Sequence, residues 1–255
     1  MEKTFGRLIS ATLNINEKQV ENTLNLLDQG CTIPFISRYR KEATGGLNDV
    51  EVAAISAQAD KLQEIEKRKN TILSTIEESG KLTEELKKRI EQCWNPSELE
   101  DIYLPYKPKR RTRAEIAKEQ GLEPLAEQIF RQRDSSISPH QLTPYIKGDI
   151  QNAEDALKGA SDIIAERINE DERARNCIRN QFSREAVITS KVVKGKEEEG
   201  AKYRDYFNWS EPLKRCSSHR LLAMRRGENE GILKISIELD ADTCIEKLQK
   251  IYVRN

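Results

Sequence analysis

Residues 107–113 carry five basic side chains in seven positions: Lys107, Lys109, Arg110, Arg111 and Arg113. Cations at this density release counterions from a phosphate backbone, an attraction that ignores base sequence and weakens with salt. Tyr103 and Tyr106 stand just before the run, where aromatic rings can stack on unpaired bases. Thr112 and Glu115 have capping-box spacing, which sets a helix N-terminus, a phosphate-friendly feature, at the end of the run. The competing reading is a solvated connector whose bases pair with acidic helix faces. Residues 149–172 offer such a face, with eight acids and two bases. Arg38, Arg40 and Lys41 form a second basic group. In a short helix after Pro34, Arg38 and Lys41 share a face, as do Phe35 and Tyr39. The structural alternative is that Arg38 or Arg40 pairs with a carboxylate and fixes the Gly45-Gly46 turn.

Residues for catalysis are scarce. His140 follows Ser138-Pro139 and His219 falls at a helix start, and neither has a partner at metal or triad spacing. Asp205, Glu211, Asp240 and Asp242 are spaced too irregularly for a carboxylate metal site, and each has an ordinary use as a cap or surface charge. The reading is therefore not an enzyme, with no cofactor and no metal. Five cysteines, Cys31, Cys93, Cys177, Cys216 and Cys244, lie far apart and never as Cys-x-x-Cys. That pattern fits buried free thiols in a reducing cytoplasm rather than a disulfide framework. No apolar run is long enough to span a bilayer. The 43 basic and 43 acidic residues cancel, so any case for nucleic acid rests on local patches.

The elements that would position these groups are mostly helical. Charged residues make up 34% of the chain and hydrophobic ones 36%, a balance suited to helices with one buried stripe. Phe5, Leu8, Ile9 and Leu13 recur at helical spacing. Asn16 with Gln19 reads as a capping box for a helix ending near Gly30. Asn48 opens a long helix to Gly80. Its heptad frame holds Ile55, Leu62, Ile65, Ile72 and Ile76, with Gln58 and Lys69 as exceptions; it packs within the chain or forms a coiled-coil arm. Shorter helices follow Thr83, Asn95-Pro96 and Thr112. Residues 133–144 read as loop, Asn152 opens a strong helix, and helix continues from Asp171 to Arg184. Val187 to Val193 suits either a strand or a buried helix, and 194–200 is a charged loop. Leu233, Ile235, Ile237 and Leu239 alternate as one clear strand without an evident partner. A last helix starts at Asp240 or Asp242.

Helix, Gly121 turn and helix around 113–130 are compatible with a helix-turn-helix. Glu123 and Glu127 on its second helix argue against major-groove reading. The segment Pro34-Phe-Ile-Ser-Arg-Tyr-Arg-Lys-Glu-Ala-Thr-Gly-Gly-Leu47 resembles, almost letter for letter, a signature of the bacterial Tex family of transcription accessory proteins. Four further stretches, in order, resemble the same family: 99–113, 121–125, 162–166 and 205–214. A fifth likeness runs from Ser218-His-Arg to Gly231. The resemblance implies a much longer protein with an RNase-H-like YqgF domain, helix-hairpin-helix elements and an RNA-binding S1 domain. This chain looks like the N-terminal helical region, stopping before the YqgF domain.

The expected fold is mainly α: a multi-helical region over 1–204 with a helix-turn-helix-like insert at roughly 60–135. A linker and short α/β tail at 205–255 begin a truncated next domain. The leading functional expectation is a nucleic-acid-associated scaffold touching RNA or DNA phosphates non-specifically. Its expected contacts are Lys107, Lys109, Arg110, Arg111, Arg113, Arg38, Arg40 and Lys41. Alternatives are a module docking onto the transcription machinery, such as RNA polymerase or ribosome-associated proteins, or onto its own chain, and a non-catalytic part of an RNase-H-like nuclease.

Overall fold

In a computed structural model, residues 2–109, 111–133 and 137–254 are described; Arg110 lies outside them. The chain is mainly helical, with one small sheet near its C-terminus. It divides into two compact units, Met1–Lys107 and Pro108–Asn255.

The first unit contains α1 (Glu2–Leu13), α2 (Glu17–Asp28), α3 (Ile33–Tyr39), α4 (Lys41–Thr44), α5 (Asp49–Glu78), α6 (Glu84–Gln92) and α7 (Pro96–Tyr103). The 30-residue α5 is its spine, about 45 Å long at 1.5 Å per residue. A reciprocal capping box between Asn48 and Glu51 satisfies two of the backbone donors at its start. The heptad positions all turn inward: Ile55, Leu62, Ile65, Ile72 and Ile76 are buried against α1, α2, α3, α6 and α7. Full burial of each contributes roughly 1.5–3 kcal/mol over exposure. Their burial within this unit makes α5 a packed helix rather than an arm. Lys69, one of the two exceptions in the heptad, is also buried. Its Nζ donates to the Glu91 carbonyl at 2.7 Å and sits 3.3 Å from the centre of the Trp94 ring. The cation thus caps the C-terminal end of α6, and burial lowers its pKa.

The second unit holds α8 (Arg113–Glu119), α9 (Glu123–Arg131), α10 (Pro139–Leu142), α11 (Ala153–Glu170), α12 (Glu172–Glu185), β1 (Val187–Val192), β2 (Asn208–Pro212), α13 (Ser218–Asn229), β3 (Leu233–Glu238) and α14 (Ala241–Tyr252). α11 packs on α8 and α9 through small residues. A Cβ added at Gly159 would lie 2.3 Å from Leu122 Cδ1, so glycine permits this close crossing. Part of the expected loop at 133–144 is helical, because Ser138 and Gln141 cap α10; residues 134–136 lie outside the described residues.

The ambiguous segment at Val187 is a strand, and it is the partner that β3 lacked in the sequence. The sheet order is β2-β1-β3, antiparallel throughout, with Ser190 opposite both Trp209 and Ile235. Backbone pairing over 40 residues away settles what periodicity left open. The expected boundary at 204/205 therefore runs through the sheet, with β1 before it and β2 and β3 after it, while contacts divide the chain after Lys107. All five cysteines are free thiols, half-buried rather than fully buried.

Candidate nucleic-acid interface

The first basic group is built by α2, α3 and α4. Pro34 occupies the first turn of α3, and Ile36 anchors it with no exposed surface. At Arg40 the backbone leaves helical geometry, separating α3 from α4. α4 ends in Gly45 and Gly46, with φ of +66° and +88°, the left-handed region that suits glycine. Two amides of α2 grip this turn. Gln19 Nε2 donates to the Thr44 and Gly45 carbonyls at 2.9 and 3.1 Å, and Asn22 Nδ2 donates to Ala43 at 2.7 Å. A Cβ at Gly45 would come 2.4 Å from Gln19 Nε2.

Two expectations are corrected here. Gln19 does not close a capping box with Asn16, whose side chain accepts from the Lys18 N–H instead. The Gly45-Gly46 turn is held by these amides rather than by an arginine–carboxylate pair. Arg38, Arg40 and Lys41 are thereby left exposed, and among the described residues none has an ion-pair partner. Arg40 lies over the Phe35 ring at 5.3 Å, and Phe35 packs on Tyr39 at 5.5 Å between ring centres. Tyr39 is 71% exposed. Arg38 and Lys41 line one cleft of about 340 Å³ with Ser37, Gly46, Asn48 and Asp49.

Of the second basic group, 107–113, Lys109, Arg111 and Arg113 meet acids of the second unit. Lys109 pairs with Glu166 at 3.3 Å and with Glu170, and Lys118 reaches Glu166 at 3.5 Å. Burial is the largest single influence on Lys109 and opposes its charge, but its bonds and Coulomb attraction to Glu170 and Glu166 together outweigh this and raise its pKa. Burial likewise opposes the charge on Glu166, yet the Thr112 hydroxyl and the two lysines hold its pKa below the usual carboxylate value. Arg111 pairs with Glu119 at 2.9 Å on the surface, and Arg113 is 3.9 Å from Asp162. Lys107 is exposed.

The N-terminus of α8 is already served. Thr112 Oγ1 accepts from the Glu115 N–H and donates to Glu166 at 2.9 Å. A carboxylate facing a helix start is poorly suited to a second anion. Tyr103 is buried in the core of the first unit with Arg68 over its ring, and Tyr106 packs on that core, so the expected stacking pair is not displayed. Arg68 forms a two-pronged bond to Glu100 at 2.6 and 3.0 Å, which lowers the pKa of that carboxylate.

α8 and α9 form the helix, turn and helix expected, with Gly121 at φ +80°. α9 places Leu125 and Ala126 in the core, and Glu127 bonds to Arg131 and to Arg167 of α11. Sequence inspection did not single out Gln19 and Asn22 as the grip, or Glu166 and Glu170 as the individual partners. Only the acidic density of 149–172 hinted at the latter. Among the described residues no group of three or more His, Cys, Asp or Glu is placed to hold a metal, and no helix is long and apolar enough to cross a membrane.

Comparison with known proteins adds a family context. Residues 3–77 match a model described as "Tex-like protein N-terminal domain", and residues 134–254 match "Tex central region-like". The chain is 46% identical over 243 residues to "Protein YhgF" of Escherichia coli, covering 94% of this chain and 31% of that protein. It is 43% identical over 236 residues to "Transcriptional accessory protein Tex" of Neisseria gonorrhoeae, covering 92% and 31%. "S1 RNA-binding domain-containing protein 1" of Pongo abelii is 28% identical over 242 residues, covering 91% and 24%. The chain thus spans under a third of the length of these relatives.

Proposed function

Because the chain belongs to the Tex family, with matches in both its N-terminal and central regions, we propose that it is a non-catalytic helical scaffold of a transcription accessory protein that touches RNA or DNA phosphates. In this reading it works in the cytoplasm beside the transcription machinery, with RNA polymerase or ribosome-associated proteins as neighbours. The contacts are phosphate-driven and independent of base sequence. The supporting observation is the exposed Arg38, Arg40 and Lys41 group, which has no internal ion pair among the described residues. Among the described connector residues, Lys107, Arg111 and Arg113 are exposed and form a separate set of candidate phosphate contacts, whereas Lys109 is engaged with Glu166 and Glu170.

The test is a titration with fluorescent single-stranded RNA, single-stranded DNA and duplex at two salt concentrations. Two variants run beside the parent chain, one with Arg38, Arg40 and Lys41 changed to Gln and one with Lys107, Arg111 and Arg113 changed to Gln. Each phosphate contact removed should flatten the log–log salt slope by about 1. The first variant should lose more slope than the second. A folded parent chain that binds none of the three at low salt would sink the proposal.

A further inference from the structure

A groove in the first unit has chemistry opposite to that of the basic groups. It runs along α5 past Ser56, Ala59, Asp60, Gln63, Lys67 and Asn70, with Phe5 of α1 and Leu24, Leu27 and Asp28 of α2 forming its other wall. Its volume is about 590 Å³. The α5 positions recur every three or four residues, so they form one stripe about 21 Å long at 1.5 Å per residue. Phe5, Leu24, Leu27 and Ala59 are the apolar part of its lining. Asp28, Asp60 and Glu66 supply three carboxylates to the lining, against one lysine, Lys67. None of the three carboxylates has an ion pair among the described residues.

We infer that this groove docks an amphipathic helix of a partner protein, with an apolar stripe flanked by Lys or Arg. A partly apolar groove along one helix is the geometry of helix-in-groove recognition, in which anchors at i, i+3, i+4 and i+7 fill the groove. The excess of unpaired carboxylates selects the sign of the flanking charge and repels an acidic helix or a phosphate backbone. The inference goes beyond the proposed nucleic-acid contact, because it assigns a protein ligand to a surface that a polyanion avoids.

The test uses the whole chain and two labelled 16-residue model helices with an identical Leu stripe, one flanked by Lys and one by Glu. Fluorescence anisotropy should show the Lys helix binding at least about tenfold more tightly, a difference of about 1.4 kcal/mol. Asp28→Lys with Asp60→Lys, both at exposed positions, should reverse that preference. A second variant, Asp28→Asn with Asp60→Asn, should weaken the Lys helix without favouring the Glu helix. Equal binding of the two helices, or a preference unmoved by charge reversal, would overturn the inference. Sedimentation showing a dimer of this chain that dissociates on Asp60→Lys would also overturn it, by giving the groove to a second copy.

Discussion

At the scale of single residues, the two basic groups differ in what their charges already do. Lys109 is tied to Glu166 and Glu170, so Lys109→Ala should cost stability by about 1–2 kcal/mol, because it leaves a half-buried acid without its partner. Thermal unfolding checks this, and the same change should alter nucleic-acid affinity less than Arg38→Ala does. The Glu166 carboxylate has a folded-state pKa below its ordinary 4.5. Its contribution is therefore fully present above about pH 4.5 and is lost as pH falls through the lower folded value. The melting temperature should drop below that pH, and Glu166→Gln should start lower and fall less steeply. Lys109 has a raised pKa, so its share is complete below its ordinary value of 10.5 and fades only at higher pH, leaving the neutral range flat. The two basic runs could be read from the sequence as charge. Their division into engaged and free could not, since Lys109 and Glu166 are brought together only by the packing of α11 on α8.

At the scale of elements, local rules located most helices because their caps are local. Asn48 with Glu51 and Thr112 with Glu115 bond as their spacing implies, and Asn95 and Asn152 also cap their helices. Long-range geometry was less legible. The α2 grip on the Gly45 turn uses Gln19 at a position that also fits a capping box, and only the fold decides between the two uses. β1 was ambiguous because a six-residue run rich in β-branched residues satisfies both periods until its neighbours are known. Lys69 broke the heptad because its ammonium meets a carbonyl and a ring instead of a hydrocarbon. Lys69→Ala should cost about 2–3 kcal/mol through lost packing and an unsatisfied carbonyl. Lys69→Met, which keeps the stem, should cost clearly less in denaturant unfolding. Gly159→Ala should destabilise the second unit by about 1–3 kcal/mol, because the added methyl meets Leu122 at the α11 crossing.

At the scale of the whole molecule, the buried clusters respect the division into two units. One cluster draws on Phe5 to Tyr103, and the others on Ala114 to Leu233. Residues 1–107 produced alone should therefore melt cooperatively with a helical circular dichroism signal; a non-cooperative, molten spectrum would show that its core needs the remainder. The sheet order carries a consequence for synthesis on the ribosome. The first unit has all its core residues once Tyr103 has emerged, but β1 is the middle strand, made before both of its neighbours. At 5–20 residues per second, the 41 steps from Val192 to Leu233 take roughly 2–8 seconds. Through that interval the β3-facing edge of the nascent Val-Ile-Thr-Ser-Lys-Val segment stays open, and its other edge is open until β2 follows at Asn208, a window in which a chaperone or a neighbouring nascent chain competes for it.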